Sequence, residues 1–172
     1  MKIKIKIRNA KEEDIANIAN LYVYSWKKAF SKFLLQATIN KLNVFEKENF
    51  FRQMIENNEG NILIAENLKN QEICGYIIYK NISKMSIEII SFYISPLYIQ
   101  NNIGSELLNH LILYCNENYI NNIVLWTFLN NKDSIKFYKG LGFYETGLQR
   151  QSSIELGQIE VQYILKKYNI YP

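Results

Sequence analysis

The sequence predicts a mixed α/β protein in which a partly parallel central sheet of about seven strands carries helices on both faces. Short apolar or alternating segments bounded by polar turns are typical of strands and recur along the chain. Segments with apolar residues at helical spacing lie between them, and helices that connect one strand to the next favour parallel pairing. The 172 residues suffice for one domain with a hydrophobic core, which we expect to span residues 1–172.

The N-terminal third is predicted to contain one strand followed mainly by helix. Isoleucine alternates with lysine or arginine over residues 3–8, as in a half-buried strand. A helix is expected from about Glu12, because apolar residues follow at helical spacing through Trp26. Residues 27–60 have an interrupted helical pattern with scattered phenylalanines. We expect this segment to form the wall on the substrate side.

The remaining chain is predicted to alternate between strands and helices. A hairpin of residues 62–65 and 73–79 comes first, and a nearly continuous apolar strand over 86–95 follows, as expected at the centre of a sheet. The further elements are a helix over 104–118, a strand over 123–128, a helix over 131–141 and a hairpin of 144–151 with 159–166.

A loop between the central strand and the next helix suggests an anion site. The strand stops before Pro96, and a turn through Asn101 and Asn102 leads to a helix that starts near Gly104. Backbone N–H groups at a helix start have no intrahelical partner and carry the positive end of the helix dipole. They suit a phosphate or pyrophosphate, so an anionic cofactor is the first hypothesis.

Composition and charge exclude several classes of function. The net charge of +4 is spread along the chain without a basic run, so nucleic acid is not indicated. No apolar run is long enough to cross a membrane, and the alternating N-terminus does not resemble a signal peptide, so we expect a cytoplasmic protein. Cys74 and Cys115 lie in apolar surroundings without metal-ligand spacing, which predicts buried thiols and no metal site.

Two motifs resemble those of the GCN5-related N-acetyltransferases. Residues 96–105 are similar to the family's pyrophosphate loop, Q/RxxGxG/A, with Gly104 as the last glycine, Ile99 at the Q/R position and Asn102 in place of the first glycine. Asparagine tolerates left-handed backbone, so the replacement is expected to keep the loop shape. Residues 131–143 are similar to the family's NxxAxxFYxxxGF signature, with Ser134 in place of alanine.

The resemblance implies the family's acyl-CoA N-acyltransferase fold and acetyl-CoA as co-substrate. It implies that the main chain of the central strand pairs with the pantetheine arm and that the loop holds the pyrophosphate. Asn131 and Tyr138 lie on one face of their helix and can contact the same ligand. The cofactor-binding residues expected in this way are Phe92, Tyr93, Ile94, Ile99, Gln100, Asn101, Asn102, Ile103, Gly104, Ser105, Asn131 and Tyr138.

Two catalytic residues are implied by the same resemblance. Glu88, sixteen residues before Gly104, holds the position of the family's frequent base, and burial among apolar neighbours would make its carboxylate more basic. Exposure at the start of the strand is the alternative. Tyr138 is expected near the sulfur, where its phenol protonates or hydrogen-bonds the leaving thiolate. Packing in the core is the alternative for Tyr138.

The implied activity is transfer of an acetyl group from acetyl-CoA to a primary amine. Short similarities at residues 7–10 and 26–30 resemble the polyamine and small-amine subgroup, so a small-molecule amine is the first candidate. A protein amine is the second. An acyl-CoA sensor or scaffold without turnover is the alternative from another class, and a homodimer is compatible with the sequence.

Overall fold

The computed structural model describes residues 3–32, 34–99 and 101–166. Within them the chain forms seven strands and five α-helices. In chain order the elements are β1 Ile5–Asn9, α1 Ile15–Phe30, α2 Gln36–Lys41, α3 Val44–Glu56, β2 Asn61–Asn67, β3 Ile73–Ser83, β4 Ser86–Ile94, α4 Ile103–Glu117, β5 Asn122–Phe128, α5 Lys132–Gly140, β6 Tyr144–Gln151 and β7 Ile159–Lys166.

The strands form one seven-stranded sheet in the order β1-β2-β3-β4-β5-β7-β6. Neighbouring strands are antiparallel except β4 and β5, which are parallel because α4 crosses over between them. The second predicted crossover, through α5, does not create another parallel ladder, since β7 inserts between β5 and β6. The predicted mixed and partly parallel sheet is confirmed.

Helices cover both faces of the sheet, as the sequence predicts. On one face, α1 and α3 bury apolar side chains that include Ile18 and Phe51 against Ile64, Tyr76 and Ile78 of β2 and β3. On the other face, α4 forms the larger core against the side chains that alternate with these along the strands. We call these the α1 face and the α4 face of the sheet.

An ionic cluster at the end of β1 holds the start of α1. The Arg8 guanidinium donates to Asp14, with Nη1 at 2.6 Å from Oδ2, and its Nε lies 2.6 Å from Oε2 of Glu66. Burial alone would raise the pKa of Asp14, but hydrogen bonds from Arg8 and from the Lys11 backbone outweigh burial and lower it. The charged carboxylate therefore joins β1 and β2 to the first turn of the helical segment.

The two cysteines are buried free thiols, as expected. Cys74 and Cys115 lie in the α4-face core, 0% and 3% exposed, and burial raises the pKa of Cys74 to about 11. Among residues 3–32, 34–99 and 101–166, no His, Cys, Asp and Glu side chains form a group of three suited to a metal ion. The helices of the same residues are too short or too polar to span a bilayer.

Candidate active site

The start of α4 presents free backbone donors next to a left-handed residue. Asn102 precedes the helix with φ 61° and ψ 15°, so it adopts the backbone conformation expected of the glycine that it replaces. The first helical hydrogen bond runs from the N–H of Glu106 to the carbonyl of Asn102, at 3.1 Å. The N–H groups of Ile103, Gly104 and Ser105 come before that bond and have no intrahelical acceptor.

The loop before α4 is closed by its own side chains. Asn101 Nδ2 donates to the carbonyl of Tyr98 at 3.2 Å, and the Tyr98 hydroxyl donates to the carboxylate of Glu72 on the neighbouring hairpin. Ile99, at the Q/R position of the motif, is 59% exposed. Gln100, also expected to bind the cofactor, lies outside the described residues.

Gly104 permits a close approach of α4 to α5. A Cβ atom built at Gly104 would lie 2.9 Å and 3.1 Å from two ring atoms of Phe137, and 3.7 Å from a side-chain carbon of Ile94. The first turn of α4 therefore touches both α5 and the end of β4. This contact brings the two sequence motifs together in space.

A shallow cavity of about 440 Å³ opens between the start of α4 and one side of α5. It is lined by Ser105, Asp133, Lys136, Phe137, Gly140 and Leu141. Ser105 is an expected cofactor residue. Lys136 was not selected from the sequence, and its cationic side chain lines the same cavity as Ser105.

Strands β4 and β5 separate beside this helix start. Their parallel pairing ends at Ile89 opposite Leu125. The pairing register between β3 and β4 shifts just beyond, because Tyr79 pairs with Ile89 but Ile78 pairs with Ser91. Such a bulge bends the strand. Residues 92–94 then pair with β3 alone, and the edge of β4 that faces β5 is left without a strand partner in the described chain.

That open edge contains the three residues expected to pair with pantetheine. Phe92, Tyr93 and Ile94 remain in register with β3, opposite Ile77, Tyr76 and Gly75 respectively. Their backbone can accept an extended amide-bearing chain along the unpaired edge, as in strand addition.

Asn131 caps α5. Its Oδ1 accepts a hydrogen bond from the N–H of Ser134 at 3.2 Å, and the residue is 7% exposed. The structure therefore shows Asn131 as the N-cap of α5. The cap fixes the direction in which α5 leaves β5, and so the position of Tyr138 two turns later.

Tyr138 lies in an aromatic cluster at the gap between β4 and β5. Its ring centroid is 6.4 Å from that of Phe92 on β4, 5.5 Å from Phe137 and 5.9 Å from Phe143. Burial raises the pKa of its phenol, so the hydroxyl stays protonated at neutral pH. No other described residue makes a hydrogen bond with this hydroxyl. Tyr138 is thus packed by its ring, and its hydroxyl has no hydrogen-bond partner among the described residues.

Glu88 is the third residue of β4 and faces the opposite side of the sheet from Tyr138. Its neighbours Ile87 and Ile89 point into the α4-face core, so alternation places the carboxylate on the α1 face. The side chain is 19% exposed, and Oε2 lies 3.8 Å from the Nζ of Lys80. Glu88 is therefore half-buried, between the two alternatives predicted for it.

A group of tyrosines that the sequence analysis did not predict lies on the α1 face. The ring of Tyr22 stacks on Tyr76 at 6.4 Å, and Tyr76 is also 6.4 Å from Tyr93. The hydroxyl groups of Tyr76 and Ser91, the residue at the bulge, are 3.2 Å apart. Burial raises the pKa of all three phenols, that of Tyr22 to about 12. A cluster of neutral aromatic side chains therefore flanks the β4 bulge.

The matching family model identifies this arrangement. It is described as the acetyltransferase (GNAT) family and matches residues 20–143, which include α4, α5 and the strands around the gap. The chain belongs to the GNAT acetyltransferase family. The matched residues contain both motifs, and they exclude β1, β6 and β7.

Relatives of known sequence and structure agree with this assignment. An uncharacterised N-acetyltransferase of Methanocaldococcus jannaschii is 26% identical over 81% of this chain, and the match spans 60% of that relative. The PaiA N-acetyltransferase of Thermoplasma acidophilum, solved with coenzyme A, has a TM-score of 0.77 at 20% identity and covers 96% of this chain and 100% of its own. The spermidine N-acetyltransferase of Vibrio cholerae, solved with CoA and spermine, has a TM-score of 0.72 at 19% identity. The match covers 94% of this chain and 95% of that protein's chain. These structures support the GNAT fold.

The structure divides the site into two sides that meet at the gap. We call the start of α4, α5 and the open edge of β4 the cofactor side, because most of the expected cofactor residues lie there. We call the α1 face next to the gap the acceptor side. Glu88, the tyrosines and the ends of α1, β5 and β6 belong to it. The expected residues do not form one cluster, because Tyr138 and Glu88 approach the gap from opposite faces.

Proposed function

We propose that this GNAT chain transfers the acetyl group of acetyl-CoA to a small primary amine. The observation that carries the proposal is the opening between β4 and β5, which has free helix N–H groups on one side and a protonated, unpartnered Tyr138 hydroxyl within reach. An anion-binding helix start, an unpaired strand edge and a proton donor are the parts that a thioester with a pyrophosphate tail requires.

The cofactor side would bind and orient acetyl-CoA. The N–H groups of Ile103, Gly104 and Ser105 would receive the pyrophosphate, with Ile99, Asn101 and Asn102 in the loop around it. The edge at Phe92, Tyr93 and Ile94 would pair with the pantetheine amides. Asn131 would act through the position of α5. No step in this proposal uses a metal.

The acceptor side would deliver a neutral amine. A lysine-like amine with a pKa near 10.4 must lose a proton at pH 7, which costs about 4.6 kcal/mol. Glu88 would take that proton directly or through water. Nitrogen then attacks the thioester carbonyl carbon, the C–S bond breaks, and the nitrogen loses its second proton to solvent as the amide forms. The Tyr138 hydroxyl protonates or hydrogen-bonds the departing thiolate, and a phenolate formed in this way takes a proton from solvent.

Two observations support a small amine as the acceptor and turnover over simple acyl-CoA binding. The short similarities near the N-terminus and the shared fold with a spermidine acetyltransferase support a small amine, such as a polyamine, over a protein amine. An acyl-CoA sensor without turnover is the other candidate, and the free hydroxyl of Tyr138 argues against it, because a binding protein does not need a proton donor there.

The test is release of free coenzyme A from acetyl-CoA by the purified protein, with and without a panel of amines. The panel contains spermidine, aminoglycosides, amino acids and N-terminal peptides. Amine-dependent release above background hydrolysis is the expected result. Tight acetyl-CoA binding without release for any amine would favour the sensor, and absence of acetyl-CoA binding would overturn the proposal.

A further inference from the structure

An arginine on the acceptor side is fixed in place by two neighbours. The guanidinium of Arg150 on β6 lies over the indole of Trp126 on β5, with its central carbon 4.2 Å from the ring centroid. Its Nε donates to Oε2 of Glu160 on β7 at 2.6 Å. Ser152 Oγ donates to the other oxygen, Oε1, at 3.2 Å. Stacking and a charge-assisted hydrogen bond both restrict the orientation of the guanidinium.

The cation is the exposed member of this group. Glu160 is 7% exposed, whereas the side chain of Arg150 is 48% exposed. Neither Nη nitrogen of Arg150 has a hydrogen-bond partner among the described residues. A solute approaching this surface therefore meets an oriented pair of N–H donors with a positive charge, and the carboxylate lies behind them.

The location connects Arg150 to the gap. Trp126 directly follows Leu125, the last residue of β5 that pairs with β4. Alternation puts Trp126 on the same face as Phe128, which packs against Phe30 at the end of α1 with a centroid distance of 5.2 Å. The guanidinium thus stands on the acceptor side, beside the point where the strands separate.

The surrounding segments enclose this location. The backbone N–H of Leu35, just before α2, donates to both carboxylate oxygens of Glu155, at 3.1 Å and 3.0 Å. This contact ties the β6–β7 connection to the α1–α2 connection, so residues around Arg150 and the end of α1 are held together. A small molecule that enters the gap from the α1 face would pass between them.

We propose that Arg150 binds an oxyanion on the acceptor, so that the substrate is a primary amine that carries a carboxylate or phosphonate. The inference rests on the proposed acetyl transfer and refines its acceptor class. An arginine fork recognises such groups through paired hydrogen bonds. The second ammonium of a polyamine would instead face a like charge. Trp126 and Glu160 are positioning residues, because they act through Arg150.

A simpler role for Arg150 is a cross-strand ion pair that only stabilises the β6–β7 hairpin. That role needs the Nε contact with Glu160 and makes no use of the free Nη groups. The two roles differ in what they predict for ligand charge, since hairpin stability does not depend on the group at the far end of the amine.

The experiment compares amines of equal length whose far end is a methyl, an ammonium, a carboxylate or a phosphonate, with chains of three to six carbons. Binding to the CoA-loaded protein is measured by isothermal titration for wild type, Arg150→Gln, Arg150→Lys and the control Arg52→Gln. Arg52 is an exposed arginine of α3 that pairs with Glu12. Turnover is measured on the same pairs of variant and amine.

The wild type and the control should bind an oxyanion amine about 10- to 100-fold more tightly than the methyl-ended amine, as expected for charged hydrogen bonds. Arg150→Gln should remove this preference without changing binding of the methyl-ended amine, and Arg150→Lys should restore only part of it. The carboxylate and phosphonate arms identify which oxyanion is preferred.

Equal binding of all four end groups, or a preference that survives Arg150→Gln, would overturn the inference. Preference for the ammonium-ended amine would overturn it as well and would favour a polyamine. Failure of the proposed acetyl transfer has a different signature, which is absence of CoA release with every amine. Because binding is measured separately, the role of Arg150 is decided even in that case.

Discussion

The cofactor side and the acceptor side of this GNAT protein are built from different parts of the chain. The cofactor side comes from β4, α4 and α5, which follow one another in the sequence with only β5 between the two helices. It offers mainly backbone groups. The acceptor side combines the α1 face next to the gap with the ends of α1, β5 and β6, and it offers side chains. The cofactor side is therefore set by elements that are neighbours in the sequence. The acceptor side depends on tertiary packing between elements that are far apart in the sequence.

The largest expected effect of a substitution is at Tyr138, which lies at the gap where the cofactor side and the acceptor side meet. Tyr138→Phe keeps the ring contacts with Phe92 and Phe143 and removes only the hydroxyl. We expect kcat to fall about 10²- to 10⁴-fold, as for loss of a general acid, with unchanged acetyl-CoA affinity. Steady-state kinetics and titration of acetyl-CoA measure the two quantities. Tyr119→Phe, at an 80% exposed position, is the control. Normal turnover in Tyr138→Phe would remove this residue from the mechanism.

Glu88 tests whether the acceptor side supplies the base. Glu88→Gln preserves the shape of the side chain and removes its proton affinity, so turnover should fall about 10- to 100-fold. The loss should be largest below neutral pH, where fewer amine molecules are already deprotonated. The rate is measured from pH 6 to 9, beside Glu59→Gln in the turn after α3 as the control. Identical pH profiles for variant and wild type would identify water as the proton acceptor.

Gly104 tests the close contact on which the cofactor side depends. In Gly104→Ala the new methyl group would overlap the ring of Phe137, so we expect a loss of about 1–3 kcal/mol in the free energy of unfolding. Acetyl-CoA affinity should fall too, because the first turn of α4 must shift. Urea denaturation and titration report the two effects. Gly140→Ala, where a Cβ meets no atom within 4 Å, is the control for stability. Equal stabilities of the two variants would contradict the packing described here.

The smallest expected effect concerns the left-handed backbone of Asn102, the residue before α4. Asn102→Gly should be neutral or stabilising by a few tenths of a kcal/mol, whereas Asn102→Ala should lose about 1 kcal/mol, because alanine resists positive φ. Thermal denaturation of the two variants gives the difference. An alanine variant as stable as the glycine variant would mean that the loop adopts another conformation.

Much of the fold and of the cofactor side was predictable from the sequence. Alternation and helical spacing set the elements, and the two motifs located α4 and α5 because each is a local signal. The left-handed Asn102 was predicted from its place at a glycine position of the resembled loop and from the tolerance of asparagine for positive φ. The order of the last two strands was not predictable, because nothing local says that β7 inserts between β5 and β6.

Apart from Glu88, which was selected from the sequence, the residues of the acceptor side could not be predicted, because their contacts join residues far apart in the chain. Tyr22, Tyr76 and Tyr93 look like ordinary core positions of a helix and two strands until the sheet brings their rings together. Arg150 looks like one exposed charge among many before β5 places Trp126 beneath it. Residue type suggests chemistry only after packing has assigned neighbours.

Hydrogen exchange with and without coenzyme A tests the division into two sides most directly. We expect the backbone N–H groups of residues 103–105 and 92–94 to exchange more slowly when coenzyme A is bound. The N–H groups around Tyr22 on α1 should change little. Protection centred on α1 and α3, or no protection at the start of α4, would contradict this division.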